Sequence, residues 1–164
     1  MEYFDVLDEN RNFLNYTKAR GSVLADNEYN QGSEVWIVKD NKVLMDKRSN
    51  NKSHPGMWEV PGGCSLAGED TITTIIRELK EEIGLSISPS DVVLLDTQIY
   101  KKQFVDIYSS NMDIDISSVK LQTEEVGDIK FVSLDEFMQM KKEGKIVPSV
   151  INRFKLIKDK LDIN

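Results

Sequence analysis

Three glutamates, Glu78, Glu81 and Glu82, stand at spacings that place their carboxylates on one side of a helix. The basic residues nearest to them in sequence, Arg77 and Lys80, lie about a quarter-turn or more from that line. Because like charges at this spacing repel, the pattern favours a bound cation. Hard oxygen ligands on one rigid element suit Mg²⁺ or Mn²⁺ and leave room for water and phosphate. The alternative is a solvated acidic helix face.

The element that must position these glutamates is predicted to be a helix from about Asp70 to Ile83. Its apolar residues recur at helical spacing and should pack on a sheet: Ile72, Ile75, Ile76, Leu79 and Ile83. Glu69 and Asp70 stand where the helix dipole favours acids, and Gly84 suits the position just after the helix. Pro61-Gly62-Gly63 is expected to turn sharply and to bring backbone close to a ligand.

The rest of the chain alternates strands and helices, which predicts an α/β fold. The first thirty residues are polar and are expected to be irregular apart from one short strand, and Arg48–Gly56 is expected to be a loop. Strands are predicted at Tyr3–Leu7, Val35–Val38, Val43–Met45, Trp58–Val60, Val92–Tyr100, Phe104–Tyr108 and Ile129–Val132, the second and third forming a hairpin. Further helices are predicted to begin at Ser133-Leu134-Asp135-Glu136 and near Pro148.

The composition restricts the classes of function. A length of 164 residues, with 40% hydrophobic and 30% charged residues, fits a single domain over 1–164. No apolar stretch is long enough for a bilayer, no signal peptide is predicted at the acidic N-terminus, and the single Cys64 cannot form an internal disulfide. These features predict a cytoplasmic protein. A net charge of −7 argues against broad nucleic-acid binding but permits a small phosphorylated substrate.

The segment Gly63–Leu85 resembles the signature of the Nudix family. That signature is Gly, five residues, Glu, seven residues, Arg-Glu, an aliphatic residue, any residue, Glu-Glu, any residue, Gly, an aliphatic residue. Every specified position is filled here, by Gly63, Glu69, Arg77, Glu78, Leu79, Glu81, Glu82, Gly84 and Leu85. The resemblance implies an α/β/α sandwich with a central mixed sheet. It also implies a metal-dependent hydrolase that cleaves the phosphoanhydride bond of a nucleoside diphosphate linked to another moiety, or of a similar diphosphate.

The resemblance also implies roles for individual residues. The metal ligands would be Gly63, through its carbonyl, Glu78, Glu81 and Glu82. Arg77 would orient a glutamate of the signature, with help from Glu69. A further carboxylate is expected from a distant loop, where Glu124 and Glu125 are the candidates and Glu125 is preferred. The proton of the attacking water would pass to Glu82 or Glu125.

The substrate is less clear from the sequence. Arg48 and Lys52 precede the signature and could contact phosphate, although solvated loop charges are an equal interpretation. Trp36, Phe104 and Tyr108 could stack on a base, but aromatic residues in strands more often belong to the core. The expected partner is a small diphosphate rather than a membrane or a nucleic acid, and a homodimer is the candidate assembly.

Parts of the sequence also resemble a second Nudix activity, an isomerase. The N-terminal half, from Asp5-Val6-Leu7-Asp8-Glu9-Asn10 to Trp58, resembles the Nudix branch related to isopentenyl-diphosphate isomerase. That isomerase needs a cysteine and histidine ligands, but Gly63 takes the cysteine position, and Ser65 and Asn30 take histidine positions. Cys64 is one residue away, and His54 is the only histidine. A nucleotide-sensing module would lack some of the glutamates, and an RNA 5′-pyrophosphate hydrolase is disfavoured by the acidic charge.

Overall fold

The computed structural model describes residues 1–164 and contains nine strands and three α-helices. The strands are β1 Tyr3–Leu7, β2 Phe13–Ala19, β3 Asn30–Lys39, β4 Lys42–Arg48, β5 Trp58–Glu59, β6 Gly62–Cys64, β7 Val93–Tyr100, β8 Gln103–Ser110 and β9 Val126–Ser133. The helices are α1 Thr71–Ile83, α2 Leu134–Lys142 and α3 Pro148–Ile157. No helix has both the length and the apolar composition that crossing a bilayer requires.

Seven strands form one mixed sheet. Five of them follow the order β5-β4-β3-β8-β7, while β6 pairs with β3 and β9 pairs with β4. Strands β3 and β8 run parallel, and the other pairs in this sheet are antiparallel. The remaining strands, β1 and β2, form a separate antiparallel hairpin.

Side-chain alternation along β3 produces two cores, one on each face of the sheet. Val35 and Ile37 face α1 and pack with its buried residues Ile75, Leu79 and Ile83. Trp36 and Val38 face the other way, into a larger cluster that includes residues of α2 and α3. The helices therefore cover both faces, and the predicted α/β/α sandwich with a central mixed sheet is confirmed.

Helix α1 begins and ends as its sequence predicts. The Asp70 side chain caps its start by accepting a hydrogen bond from the Thr73 N–H at 2.8 Å. Gly84 ends it in the left-handed conformation, at φ 70°, which glycine adopts without a steric penalty. The glutamates are therefore held on a helix of defined length.

Two local expectations were wrong. Residues 13–19 are not irregular but form β2, whose apolar residues lie on both faces and none of whose side chains is buried. Gly62-Gly63 is not a turn but part of β6, where Gly62 pairs with Glu34 and Gly63 with Ser33. The reason is close packing, because a Cβ on Gly62 would lie 2.4 Å from the Ser33 carbonyl oxygen.

Candidate active site

A polar cavity of about 490 Å³ lies between α1, β6 and α3. Its size is in the range of small-molecule sites. Eight of the site residues predicted from the sequence line this one cavity, while Glu69 supports Arg77 from outside it; the eight are Arg48, Lys52, Gly63, Arg77, Glu78, Glu81, Glu82 and Glu125. Glu124, the alternative to Glu125, is not among the lining residues.

Strand β6 and helix α1 meet where Gly63 packs against Glu78. A Cβ on Gly63 would lie 2.2 Å from Glu78 Oε1 and 2.4 Å from its Cδ. Only glycine therefore allows the carboxylate to lie against the strand backbone. This contact fixes the Glu78 carboxylate beside the main chain of residue 63.

Arg77 forms hydrogen bonds to three of the four glutamates of the signature. Its Nε and Nη2 donate to the two carboxylate oxygens of Glu69 at 2.7 and 3.0 Å, and Nη2 also donates to the Cys64 carbonyl at 3.1 Å. Its Nη1 donates to Glu78 at 3.0 Å and to Glu81 at 3.3 Å. Burial would raise the pKa of Glu69, but the hydrogen bonds from Arg77 and from the backbone outweigh it and lower that pKa. Arg77 thus joins α1 to the loop and strand before it.

The carboxylates beside Arg77 differ in their surroundings. Burial is the main cause that raises the pKa of Glu78, and the charge of Glu81 adds to it. The pKa of Glu82 is raised to about 7, again mainly by burial and then by Glu78 and Glu59. The Glu81 side chain is 55% exposed and reaches toward solvent. This part of the cavity therefore holds more negative charge than its surroundings readily stabilise.

The loop that carries Glu125 is attached to the end of α1. The last carbonyls of a helix have no partner within the helix. Here the Glu82 carbonyl accepts a hydrogen bond from the Gln122 N–H at 2.8 Å, and the Ile83 carbonyl accepts one from the Lys120 N–H at 3.0 Å. Satisfying these carbonyls brings the loop against the helix, and Glu125 then reaches the cavity. The paired residues are 37 and 40 positions apart, and nothing local in the sequence indicates this attachment.

Both cations predicted to contact substrate are paired with carboxylates. Lys52 Nζ lies 2.8 Å from Glu125 and 3.4 Å from Glu82. Burial would lower the pKa of Lys52, but these two carboxylates outweigh it and raise that pKa. Arg48 forms two hydrogen bonds to Glu59, at 3.0 and 2.8 Å. Each cation therefore orients a carboxylate of the cavity wall. A substrate phosphate would have to share the cation with that carboxylate.

Sequence reasoning missed a buried carboxylate behind this wall. Asp46 is 1% exposed and lies opposite Glu59 in the β4–β5 pairing. Neither of its oxygens has a hydrogen-bond partner. Burial raises the pKa of Asp46 well above its usual value, and Glu59 and Glu82 raise it further. The signal was weak, since a single acid within an apolar strand is easily read as a solvent-facing position.

A second missed feature is an ion pair between the sheet and α3. Arg153 Nε donates to Glu34 at 2.7 Å, and the two side chains are 11% and 4% exposed. Trp36 Nε1 donates to the other Glu34 oxygen at 3.0 Å. Burial raises the pKa of Glu34 although Arg153 opposes that shift. Both members of the pair line the cavity, and their separation of 119 residues hid the contact from sequence analysis.

The aromatic residues considered for base stacking lie in the protein interior. Trp36 is fully buried, and Phe104 and Tyr108 are 6% and 4% exposed. None of the three lines the cavity, whereas Tyr100 does. The core interpretation of these strand aromatics is therefore the correct one.

The chemistry of the donors fits a divalent cation. Carboxylate oxygens and the backbone carbonyl of Gly63 are ligand types that Mg²⁺ and Mn²⁺ prefer. Burial and like charge raise the pKa values of Glu78, Glu82 and Asp46, and a cation would relieve that excess of negative charge. As the side chains stand, no three metal-ligating groups converge on one point. Coordination would require the glutamates to turn from Arg77 and Lys52.

The fold is a mixed α/β/α sandwich in which an acidic helix packs beside a strand that contains two glycines. A sequence model of the NUDIX domain matches residues 30–154, so the chain belongs to the Nudix family. Family membership confirms the predicted enzyme class, a pyrophosphohydrolase.

Individual relatives agree with this assignment. A Nudix hydrolase of Listeria innocua is 32% identical over 151 residues, which cover 90% of this chain and 89% of that protein. An ADP-ribose pyrophosphatase of Methanocaldococcus jannaschii is 47% identical over 49 residues, 30% of this chain and 28% of that protein. A crystal structure from Deinococcus radiodurans is similar in fold, with a TM-score of 0.73, 15% identity and coverage of 89% and 92% of the two chains.

Proposed function

We propose that this chain is a divalent-metal-dependent hydrolase that cleaves the phosphoanhydride bond of a nucleoside diphosphate linked to another moiety. The observation that carries the proposal is the gathering of five oxygen donors around one polar cavity: Gly63, Glu78, Glu81, Glu82 and Glu125. The name of the archaeal relative, an ADP-ribose pyrophosphatase, supports ADP-ribose as the first substrate to test.

The proposed metal ligands are the Gly63 carbonyl, Glu78, Glu81 and Glu82. When bound, a divalent ion neutralises charge on the diphosphate oxygens and lowers the pKa of a coordinated water. Arg77 anchors α1 to the preceding loop and strand through Glu69 and the Cys64 carbonyl, and these contacts can persist when Glu78 and Glu81 turn toward the ion. The protein thus contributes a fixed helix and strand from which the ligands are presented, and positioning is a main requirement of phosphoryl-transfer chemistry.

In the proposed reaction, a water oxygen attacks phosphorus. A new P–O bond forms, the bridging P–O bond breaks, and two phosphorylated products leave. The water proton passes to a carboxylate, and Glu82 and Glu125 are the two candidates. Glu125 is 40% exposed and is held by Lys52 on a separate loop, so it can reorient independently of α1.

The test is a screen for hydrolysis in Mg²⁺ and Mn²⁺ with identification of the products. The substrates are ADP-ribose, nucleotide sugars, dinucleoside polyphosphates, NADH and nucleoside triphosphates. Replacing Glu81 or Glu82 by Gln is expected to lower kcat by about 100-fold or more without changing the melting temperature. Full wild-type rates in both variants, or no phosphorylated product from any substrate, would contradict the proposal.

The adjacent glutamates of the 122–125 loop offer a matched pair for finding the base. Glu124→Gln changes a residue outside the cavity lining and is expected to keep the wild-type rate. A loss of about 100-fold or more in Glu125→Gln alone would assign the proton transfer to Glu125. A wild-type rate in Glu125→Gln would leave that role to Glu82.

No observation favours the isomerase alternative. Gly63 stands in the position of the required cysteine, and Ser65, in a histidine position, is 4% exposed and hydrogen-bonded to Thr74 at 2.6 Å. His54 and Cys64 do line the cavity, so conversion of isopentenyl diphosphate to its allylic isomer is the direct assay. Two further parts of the proposal come from the sequence. The first is that the chain belongs to the isomerase-related branch of the family, and the second is that it assembles as a homodimer.

A further inference from the structure

Arg153 presents unused hydrogen-bond donors in the wall of the cavity. Its Nε donates to Glu34, and Nη2 makes only a long contact of 3.4 Å with Ser149. Nη1 donates to no protein acceptor. The side chain is 11% exposed and lines the cavity, and Nη1 is not sealed from solvent, so these donors face the cavity. A donor that faces the cavity without a protein partner is suited to a ligand acceptor.

Two buried side chains, those of Glu34 and Trp36, fix the orientation of Arg153. Glu34 is 4% exposed and holds Nε, while the fully buried Trp36 holds the other oxygen of Glu34. Buried ion pairs are often no more stabilising than apolar residues of similar volume. The rigid planar donor that this pair presents to the cavity is therefore a better reason for burying it than fold stability.

Arg153 is also close to the proposed catalytic residues. Its partner Glu34 pairs with Gly62 across β3 and β6, and the next residue, Gly63, packs on Glu78. A group held by Arg153 would therefore be attached close to the diphosphate. Ser149 lies next to Arg153, and the cavity lining also includes Gln103 and the apolar Val105 and Val150.

The charge balance identifies the ligand chemistry. Glu34 offsets the charge of Arg153, and its carboxylate would repel a phosphate placed against the pair. Sugar hydroxyls can accept from the guanidinium and donate to nearby oxygens. An alkyl chain would leave the Nη1 donors unpaired. We propose that Arg153, oriented by Glu34, is a specificity-determining residue that donates hydrogen bonds to the hydroxyls of a sugar attached to the diphosphate, an inference that rests on the proposed function.

The test compares ADP-ribose with two analogues, each lacking the 2- and 3-hydroxyls of one of its two riboses. Wild type, Arg153→Gln and the matched control Lys155→Gln, on the exposed side of α3, are measured with all three. Arg153→Gln is expected to lower kcat/KM for ADP-ribose by about 10- to 100-fold. With one of the analogues, Arg153→Gln and wild type should have the same kcat/KM, because that analogue lacks the hydroxyls that Arg153 contacts. An equal loss with all three substrates would overturn the inference.

Binding provides a readout that does not depend on turnover. Calorimetry with the α,β-methylene analogue of ADP-ribose should give a Kd that rises about 10- to 100-fold in Arg153→Gln and is unchanged in Lys155→Gln. Arg153→Lys keeps the charge beside Glu34 but not the planar fork, so it should also bind weakly and still fold. An unchanged Kd in Arg153→Gln refutes the inference even if wild type hydrolyses ADP-ribose. The expected Kd pattern without hydrolysis would refute only the proposed function.

Discussion

Replacing Gly63 by Ala tests the contact on which the candidate site depends. The new Cβ would lie 2.2 Å from Glu78 Oε1, whereas real Cβ contacts essentially never fall under 3.0 Å. The Glu78 carboxylate must therefore retreat by at least about 0.8 Å, the difference between these distances, and misplacement of a catalytic group by about 1 Å can cost about 100-fold in rate. The atoms that the Cβ meets belong to the outer part of a flexible side chain, so the carboxylate can move at little cost to the free energy of unfolding.

The assay measures kcat for ADP-ribose in Mg²⁺ together with the melting temperature. We expect kcat to fall about 100-fold while Tm stays close to the wild-type value, because a side chain moves and no backbone is displaced. Gly127→Ala is the matched control, because its Cβ would meet nothing closer than 3.8 Å. A Gly63→Ala protein with the kcat of Gly127→Ala would refute the argument.

Three further outcomes follow from the contacts. Arg77→Lys loses the two-point hydrogen bond to Glu69, so kcat should fall about 10-fold or more while circular dichroism stays unchanged. Burial would raise the pKa of Asp106, but Arg11 and two hydroxyls lower it, so Asp106→Asn should cost about 2 kcal/mol at pH 7 in urea unfolding. Because the folded pKa lies below the unfolded 3.8, that difference should persist at pH 5 and shrink as the pH falls below 3.8. Gly84→Ala places a side chain at φ 70° and should lower stability by about 1 kcal/mol in the same unfolding assay.

Local signals in the sequence determine much of the fold. Helix α1 was predicted to within about a residue because Asp70 caps it, its apolar residues recur at helical spacing, and Gly84 ends it. The β3–β4 hairpin was predicted because its apolar runs flank a short polar turn. Strand β2 escaped detection because its apolar residues lie on both faces, so no single face is marked as the one that packs on a core.

The missed site residues depend on tertiary contacts. Glu34 and Arg153 stand 119 residues apart, and nothing local in either segment indicates the other. The Pro61-Gly62-Gly63 segment was interpreted as a turn because glycine usually marks one, whereas here glycine permits two backbones to approach. Pairing of Lys52 with Glu82 and Glu125 likewise depends on a loop attached to the helix end.

The cavity lining comes from separate stretches of the chain. The groups proposed for bond cleavage lie mostly within 63–82, a continuous strand–loop–helix segment. Other lining residues come from distant segments: Arg153 from α3 and, at the open end of the β1–β2 hairpin, Glu2 and Arg20. Laboratory evolution toward new substrates can therefore concentrate its mutations on these distant segments, where exchanging a side chain leaves the sequence of the hydrolytic segment unchanged.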